Sequence, residues 1–299
     1  MSQRIDMKKM LIVGGTGETG SWFARYFKGN GFDISIWGPS GKVHVADELG
    51  VRYAHDLMRD VEESDIVVLS VPIDKTPEVA RRIGPAMRSG SLLMDLTSLK
   101  VEPVRAMVES SPPDVEVLGA HPMFGPTMPS IKGQTVILTP VEGRWGRWSS
   151  HIRDILERDG ARVEILTPEE HDRMMAVVQA LTHFAYIAIG ATLRSLGFDV
   201  SRSRRFMSPV YEVMLDFVGR ILDQNPELYA SIQMNPFARE VRRAFIEECI
   251  RLSDSIETGD LEVFKREMRG AAEHFGDTRS ALKRSDRIIN QRAQERERA

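Results

Sequence analysis

Met10-Leu11-Ile12-Val13-Gly14-Gly15-Thr16-Gly17-Glu18-Thr19-Gly20 runs four apolar residues straight into a glycine-rich turn. The apolar run has the composition of a buried strand, and Gly15, Gly17 and Gly20 fit the spacing G-x-G-x-x-G. In that spacing the first glycine permits a tight turn. The second lets backbone approach a pyrophosphate, and the third lets helix and strand pack closely. The helix that follows directs its free N–H groups at phosphate. Ordinary turns also carry such glycines, so context decides, and here the pattern follows a strand and opens a helix. Gly15, Thr16, Gly17, Glu18, Thr19 and Gly20 are the expected dinucleotide-binding residues.

Outward from this loop, short strand-like runs alternate with helix-like ones. Asp33 to Trp37, Asp65 to Val71, Ser91 to Leu96 and Val115 to Ala120 are strand candidates, with room between them for crossover helices or turns. Thr135 to Leu138 and Arg162 to Leu166 extend the same sheet. Such alternation predicts a mostly parallel sheet with helices on both faces. At Thr167-Pro168-Glu169-Glu170 the pattern changes: a cap residue, a proline at the first helical position and a glutamate at the third make a capping box. Beyond it no strand is expected, and Ser208-Pro209, Asn235-Pro236 and Gly259-Asp260 read as further helix starts, the last before one long helix. The expected fold is α/β, a Rossmann-type dinucleotide-binding domain over 1–167 followed by an all-α helical dimerisation domain over 168–299.

The bulk numbers agree with two domains. The chain has 299 residues, 42% hydrophobic and 28% charged, with a net charge of −3. Nothing in that balance points to nucleic acid or an anionic membrane. No apolar run is expected to span a bilayer, and no apolar signal core precedes the first strand, so a cytoplasmic protein is expected. Cys249 is the single cysteine, which excludes an intramolecular disulfide and a cysteine-rich metal site. In its helical setting it reads as a small buried hydrophobe, and no metal is expected. The charged tail from Gln291 to Ala299 reads as a frayed, solvated helix end.

An acidic residue at the end of the second strand would bind the ribose 2′-hydroxyl of NAD. This chain has Trp37-Gly38-Pro39-Ser40-Gly41-Lys42 instead. Loss of the carboxylate removes repulsion against a 2′-phosphate, which Ser40 and Lys42 can contact. The cofactor is therefore NADP or NAD, with NADP favoured, although a plain surface turn explains the same residues. Ser70 and Pro72, at the end of the strand ending in Ser70-Val71-Pro72, complete the cofactor set.

Ligands of open α/β sheets sit beyond the carboxyl ends of the strands. His121 falls directly off one such end, in His121-Pro122-Met123-Phe124-Gly125-Pro126, and Thr97-Ser98-Leu99-Lys100 falls off another. Histidine titrates near neutrality without help, which suits proton traffic from an alcohol, although a structural hydrogen-bonding role is the plainer reading. The helix from Pro168 is apolar on nearly every side and is expected to be buried. Gln179, Thr182, His183 and Tyr186 recur along it at spacings of three and four as one polar stripe. Such a stripe pairs internally or lines a ligand cavity. Arg220 either pairs with Asp216 one turn away or clamps a carboxylate.

Together these segments resemble the prephenate dehydrogenase family, and are similar to the dehydrogenase part of bifunctional chorismate mutase–prephenate dehydrogenase. The resemblance covers nearly the whole chain. It rests on Gly14 to Gly20, Ser70 to Ile73, Asp95 to Lys100, His121 to Pro126, Glu170-His171-Asp172, Gln179 to Phe184, Ser208 to Tyr211, Gly219-Arg220 and Pro226 to Tyr229. It implies that His121 is the catalytic histidine, hydrogen-bonded to the ring hydroxyl that is oxidised. It implies that Ser98 contacts the same hydroxyl and orients the histidine, that Arg220 binds a substrate carboxylate, that His183 is a second substrate-binding residue, and that His171 is a polar neighbour. Lys100 and Gln179 complete the expected substrate-binding set. The implied substrate is prephenate, oxidised and decarboxylated to 4-hydroxyphenylpyruvate in tyrosine biosynthesis by a homodimer joined through the helical domain. Gly38 departs from the family's acidic position. With no mutase segment ahead of the cofactor domain and no regulatory domain after it, no mutase activity is expected. The alternatives are arogenate dehydrogenase, a β-hydroxyacid dehydrogenase with a helical second half, and a cofactor-sensing regulator without turnover.

Overall fold

The computed structural model describes residues 8–298, which fall into two compact units dividing between Met175 and Ala176. In the first unit, β1 (Lys9–Val13), β2 (Asp33–Trp37), β4 (Ile66–Leu69), β5 (Leu92–Asp95), β6 (Glu116–Pro122), β7 (Thr135–Pro140) and β8 (Arg162–Ile165) lie where the apolar runs placed them. A short β3 (Arg52–Tyr53) was not expected; two residues carry no periodicity that marks a strand. The strands form one sheet in the order β3-β2-β1-β4-β5-β6-β7-β8. Every neighbouring pair is parallel except β6 with β7.

The runs are continuous rather than alternating because both faces of the sheet are covered. In β1, Met10 and Ile12 face one core with Phe23 and Phe27 of α1 (Glu18–Gly29) and Ile152 of α6 (Arg147–Arg158). Leu11 and Val13 face the other. There they meet Val61 of α3 (Leu57–Glu63), Ile83 of α4 (Thr76–Ile83) and Met107 of α5 (Val101–Ser110). A short α2 (Val43–Leu49) follows β2. The unit closes with α7 (Pro168–Met175). The expected capping box at its start is present: Thr167 N donates to Glu170 Oε2 at 2.8 Å and Glu170 N donates to Thr167 Oγ1 at 3.2 Å.

The second unit has no strand among the described residues. It opens with a π turn (Ala176–Leu181) and continues through α8 (Thr182–Ser195), α9 (Val200–Ser203), α10 (Pro209–Leu222), α11 (Pro226–Gln233), α12 (Ala238–Glu257), α13 (Leu261–Phe275) and α14 (Thr278–Arg298). Ser208 caps α10, and Asn235 accepts from Phe237 N just before α12, as expected. Asp260 caps α13 rather than one last long helix, because Gly276, with φ 82°, breaks the run before α14. The tail is not simply solvated, since Arg292 bonds Asp216 at 2.8 Å.

Three expectations about this unit need correction. The run from Pro168 is only partly buried: Met175, Ala176 and Ala180 are buried, but α8 has no buried residue, and Val177 and Val178 are exposed. By length and composition the helical run Pro168–Ser195 is also apolar enough to cross a membrane, with 17% of its most apolar window buried. Cys249 is exposed, beside the equally exposed Ile246 and Ile250 on α12. The common cause is an apolar surface that a single chain leaves uncovered, seen again at Phe206 (75% exposed) and Met234 (78%).

Candidate active site

Parallel pairing brings the carboxyl ends of β1, β4, β5 and β6 to one edge of the sheet. On either side of β1 the chain runs to β2 and to β4, which makes the crevice there a topological switch point. The glycines of the loop have different physical reasons. Gly14 has φ 89°, and a Cβ on it would lie 2.1 Å from Ser70 O. A Cβ on Gly15 would meet Ile36 Cβ at 2.6 Å, and one on Gly20 would meet Gly14 O at 2.3 Å. These three are imposed by the fold itself. Gly17 is not: its nearest neighbour to a built Cβ is Gly14 O at 3.4 Å, ordinary contact. It is exposed at the cap of α1, with no side-chain hydrogen bond over the first-turn N–H groups of Glu18, Thr19 and Gly20. An open cradle at a helix N-terminus fits a pyrophosphate.

Gly38 also has a packing reason. A Cβ there would sit 2.0 Å from Thr16 Oγ1, and Gly38 O accepts from the Tyr53 hydroxyl at 2.9 Å. The missing acid is thus tied to the threonine of the loop. Ser40 and Lys42 are exposed in the turn after β2. Ser70 is half-buried beyond β4, and Pro72 is exposed beside it.

His121, at the end of β6, is only 3% exposed. Its Nδ1 lies 2.9 Å from Nε2 of His171, and His171 Nδ1 lies 2.7 Å from Asp172 Oδ1, both residues being on α7. The carboxylate of Asp172 is held at the start of α5, where Lys100 N donates to Oδ1 at 2.8 Å and Val101 N to Oδ2 at 3.0 Å. Burial above all, then the charges of His171 and Lys100, pushes His121 well below the usual histidine value. Burial lowers His171 too, against the opposing pull of Asp172. His121 is therefore neutral at pH 7 and able to accept a proton.

Two expected substrate contacts are not available as such. Lys100 is fully buried, its ammonium paired with Asp95 and 3.4 Å from Thr97 Oγ1. A lysine so enclosed braces the floor of the site. His171 is fully buried with both ring nitrogens engaged. Among the described residues no hydrogen bond joins the half-buried Ser98 to His121; the ring is held by His171. Asp172 was quoted in the sequence only within Glu170-His171-Asp172, without a role, and only its place next to a histidine at a helix start could have marked one.

In the second unit the members of the polar stripe have different surroundings, Gln179 lying within the π turn and Thr182, His183 and Tyr186 on α8. Thr182 bonds Val178 O at 3.0 Å within its own helix, and Tyr186 packs on Phe217. Gln179 Oε1 and His183 Nδ1 are buried with no partner among the described residues. Burial lowers His183 to about 4. Its ring meets Tyr229 edge-on, at 4.5 Å between centroids. Burial raises Tyr229, and the charge of Arg220 opposes that rise. Tyr229 is thus a site residue that sequence reasoning quoted without a role. Arg220 is exposed and does not take Asp216 as its partner, since Asp216 is held by Arg292; all three line a polar recess of about 640 Å³ with Asp223 and Gln224. Gln179 Oε1 and His183 Nδ1 are thus open to a polar partner, and the Arg220 guanidinium has no ion pair among the described residues.

Comparison with known proteins adds an independent line. A family model described as prephenate dehydrogenase, nucleotide-binding domain, matches residues 23–165, and one described as prephenate dehydrogenase, dimerization domain, matches 167–270. A probable arogenate/prephenate dehydrogenase of Methanocaldococcus jannaschii is 45% identical over 89% of this chain, which spans 60% of that relative's length. The T-protein of Haemophilus influenzae is 32% identical, over 96% of this chain and 72% of its own. The crystal structure of prephenate dehydrogenase from A. aeolicus, in complex with hydroxyphenyl propionate and NAD+, superposes with a TM-score of 0.74. That match covers 95% of this chain and 99% of the other at 22% identity.

Proposed function

This chain belongs to the prephenate dehydrogenase family, and from that premise we infer that it oxidises and decarboxylates prephenate to 4-hydroxyphenylpyruvate, a step of tyrosine biosynthesis. The observation that carries the reading is His121, held by one ring nitrogen against His171 at the strand edge that also bears the open Gly17 cradle, where burial favours its neutral form. A bound nicotinamide dinucleotide supplies the hydride acceptor. Gly17 and the first-turn N–H groups of α1 hold its pyrophosphate, and Ser40 and Lys42 take a 2′-phosphate, so NADP is used at least as well as NAD. His121 draws the proton from the ring hydroxyl. Arg220 takes a substrate carboxylate, with His183 and Gln179 as further polar contacts. Loss of carbon dioxide makes the ring aromatic and supplies the driving force, so these groups need only position and polarise.

Arogenate is the second reading, favoured by the printed name of the M. jannaschii relative. One assay decides both questions: reduced-nicotinamide absorbance followed with prephenate and arogenate, each with NAD and NADP. Turnover of prephenate with kcat/KM at least tenfold above arogenate is expected. Turnover of neither substrate would overturn the reading in favour of a cofactor sensor.

The protein is further proposed to be a cytoplasmic homodimer. A second copy covers the apolar faces of α8, α10 and α12, and the unpaired Gln179 and His183 within Pro168–Ser195 argue against lipid as the cover. Sedimentation at micromolar concentration should give a dimer; an active, stable monomer would refute this.

A further inference from the structure

Asp172, His171 and His121 form a chain of buried groups whose proton positions follow from chemistry alone. Asp172 accepts two backbone N–H bonds at the start of α5, and as a carboxylate it can only accept from His171. Nδ1 of His171 is therefore the protonated nitrogen. In a neutral ring Nε2 then carries the lone pair, so the 2.9 Å contact to His121 is a bond that His121 Nδ1 donates. That leaves Nε2 of His121 unprotonated, the form a general base needs.

We propose that His171 and Asp172 are positioning residues that fix the tautomer of His121, so that Nε2 receives the substrate proton. The proposal rests on the reading of His121 as the base. When Nε2 takes the hydroxyl proton, Nδ1 keeps its own and continues to donate to His171. The positive charge that forms on His121 is met by a ring whose far nitrogen faces a carboxylate. No group other than the substrate loses a proton. The arrangement has the logic of other histidines oriented by a buried acid, in which a wrong tautomer costs up to about 10⁴ in rate. A positioning role also agrees with His171 being fully buried, with both ring nitrogens engaged.

The test uses the full chain with prephenate and the preferred nicotinamide. His171→Leu keeps a side chain of similar size but cannot accept from Nδ1. His171→Gln can still accept with its carbonyl and donate to Asp172 with its amide. His171→Leu should lower kcat about 10²-fold or more with KM within threefold, and His171→Gln should recover at least tenfold of that loss. Nitrogen-15 NMR of the histidine rings should show His121 protonated at Nδ1 in the parent and as a mixture of tautomers in His171→Leu. The acid limb of the kcat profile should move in His171→Leu. The charged groups around His121 besides His171 and Asp172, namely Lys100 and Asp95, are unchanged there, so the move reports on His171. Parent-like kcat in a folded His171→Leu, or His121 protonated at Nε2 in the parent, would overturn the proposal. His121→Asn separates the two readings: if it turns over normally, His121 is not the base. If it is inactive while His171→Leu is not, only the positioning role fails.

Discussion

Replacing Lys100 by methionine would leave the carboxylate of Asp95 in the protein interior without its counter-charge, held only by Thr97. Both side chains are 0% exposed, and Asp95 Oδ2 takes the ammonium together with Thr97 N at 3.0 Å. Asp95 Oδ1 has no partner among the described residues, so nothing stands ready to replace the lysine. Removing one member of a buried pair costs about 3–5 kcal/mol, because the other charge stays desolvated. At about 2–4 °C per kcal/mol for a unit of this size, the melting temperature should fall by roughly 6–20 °C. Lys100→Met combined with Asp95→Asn removes both charges and should recover more than half of that loss. Thermal unfolding of the single and double variants by circular dichroism measures this. Activity gives a second readout at a temperature where the variant is folded. KM for substrate should change less than threefold, since the ammonium is sealed from ligand. Lys100 also depresses His121, so its loss should raise that histidine and shift the acid limb of activity to higher pH. A melting temperature within 2 °C of the parent together with a tenfold rise in KM would refute this reasoning and return Lys100 to the substrate-binding set.

Gly20→Ala drives a Cβ to 2.3 Å from Gly14 O and 2.7 Å from Gly15 Cα, backbone that cannot step aside, so it should cost about 1–3 kcal/mol and raise KM for the nicotinamide, measured by melting and steady-state kinetics. Lys42→Ala should weaken NADP selectively, by about tenfold in kcat/KM, and leave NAD within twofold; equal losses would remove Lys42 from the 2′-phosphate. His121 sits well below 6.5 in the fold and must be neutral to act, so activity should be flat through neutrality and fall only as pH drops through that lowered value. The limb should vanish in His121→Asn, whose kcat falls about 10²–10⁴-fold, whereas Arg220→Gln should chiefly raise KM.

The sheet was legible because a strand buried on both faces is a continuous apolar run, and β1, β4 and β5 each present one. The cofactor loop was legible because close approach leaves only glycine, and Gly14, Gly15 and Gly20 are each closed to a Cβ by backbone or core atoms. His121 could be found from its place after a strand. Its partner His171 came only from the family resemblance, as a polar neighbour, since β6 and α7 are joined only in space and a histidine 50 positions away carries no local mark of that bond. Lys100 shows the opposite failure. A lysine off the end of a strand has the pattern of a ligand contact, and only the burial of Asp95 beneath it identifies the partner it already has.

The helix from Pro168 shows where periodicity stops being informative. An all-apolar circumference states that every side must be removed from water, but not what removes it. Burial within one chain, burial in a dimer and burial in lipid leave the same composition. Leu, Val and Phe side chains left open each forgo roughly 1.5–3 kcal/mol of burial. In the second unit Val177, Val178, Phe206, Val210, Leu222 and Met234 are all open in the single chain, which is more than a marginally stable domain can forgo. The cover must also accommodate Gln179 Oε1 and His183 Nδ1, buried polar atoms with no partner among the described residues. Lipid provides no donor there, so the requirement favours protein around the helix and a polar ligand or water beside those two residues. The feature that made the helix look like an ordinary core element is thus an unmet demand for cover, which the proposed second copy of the chain would meet.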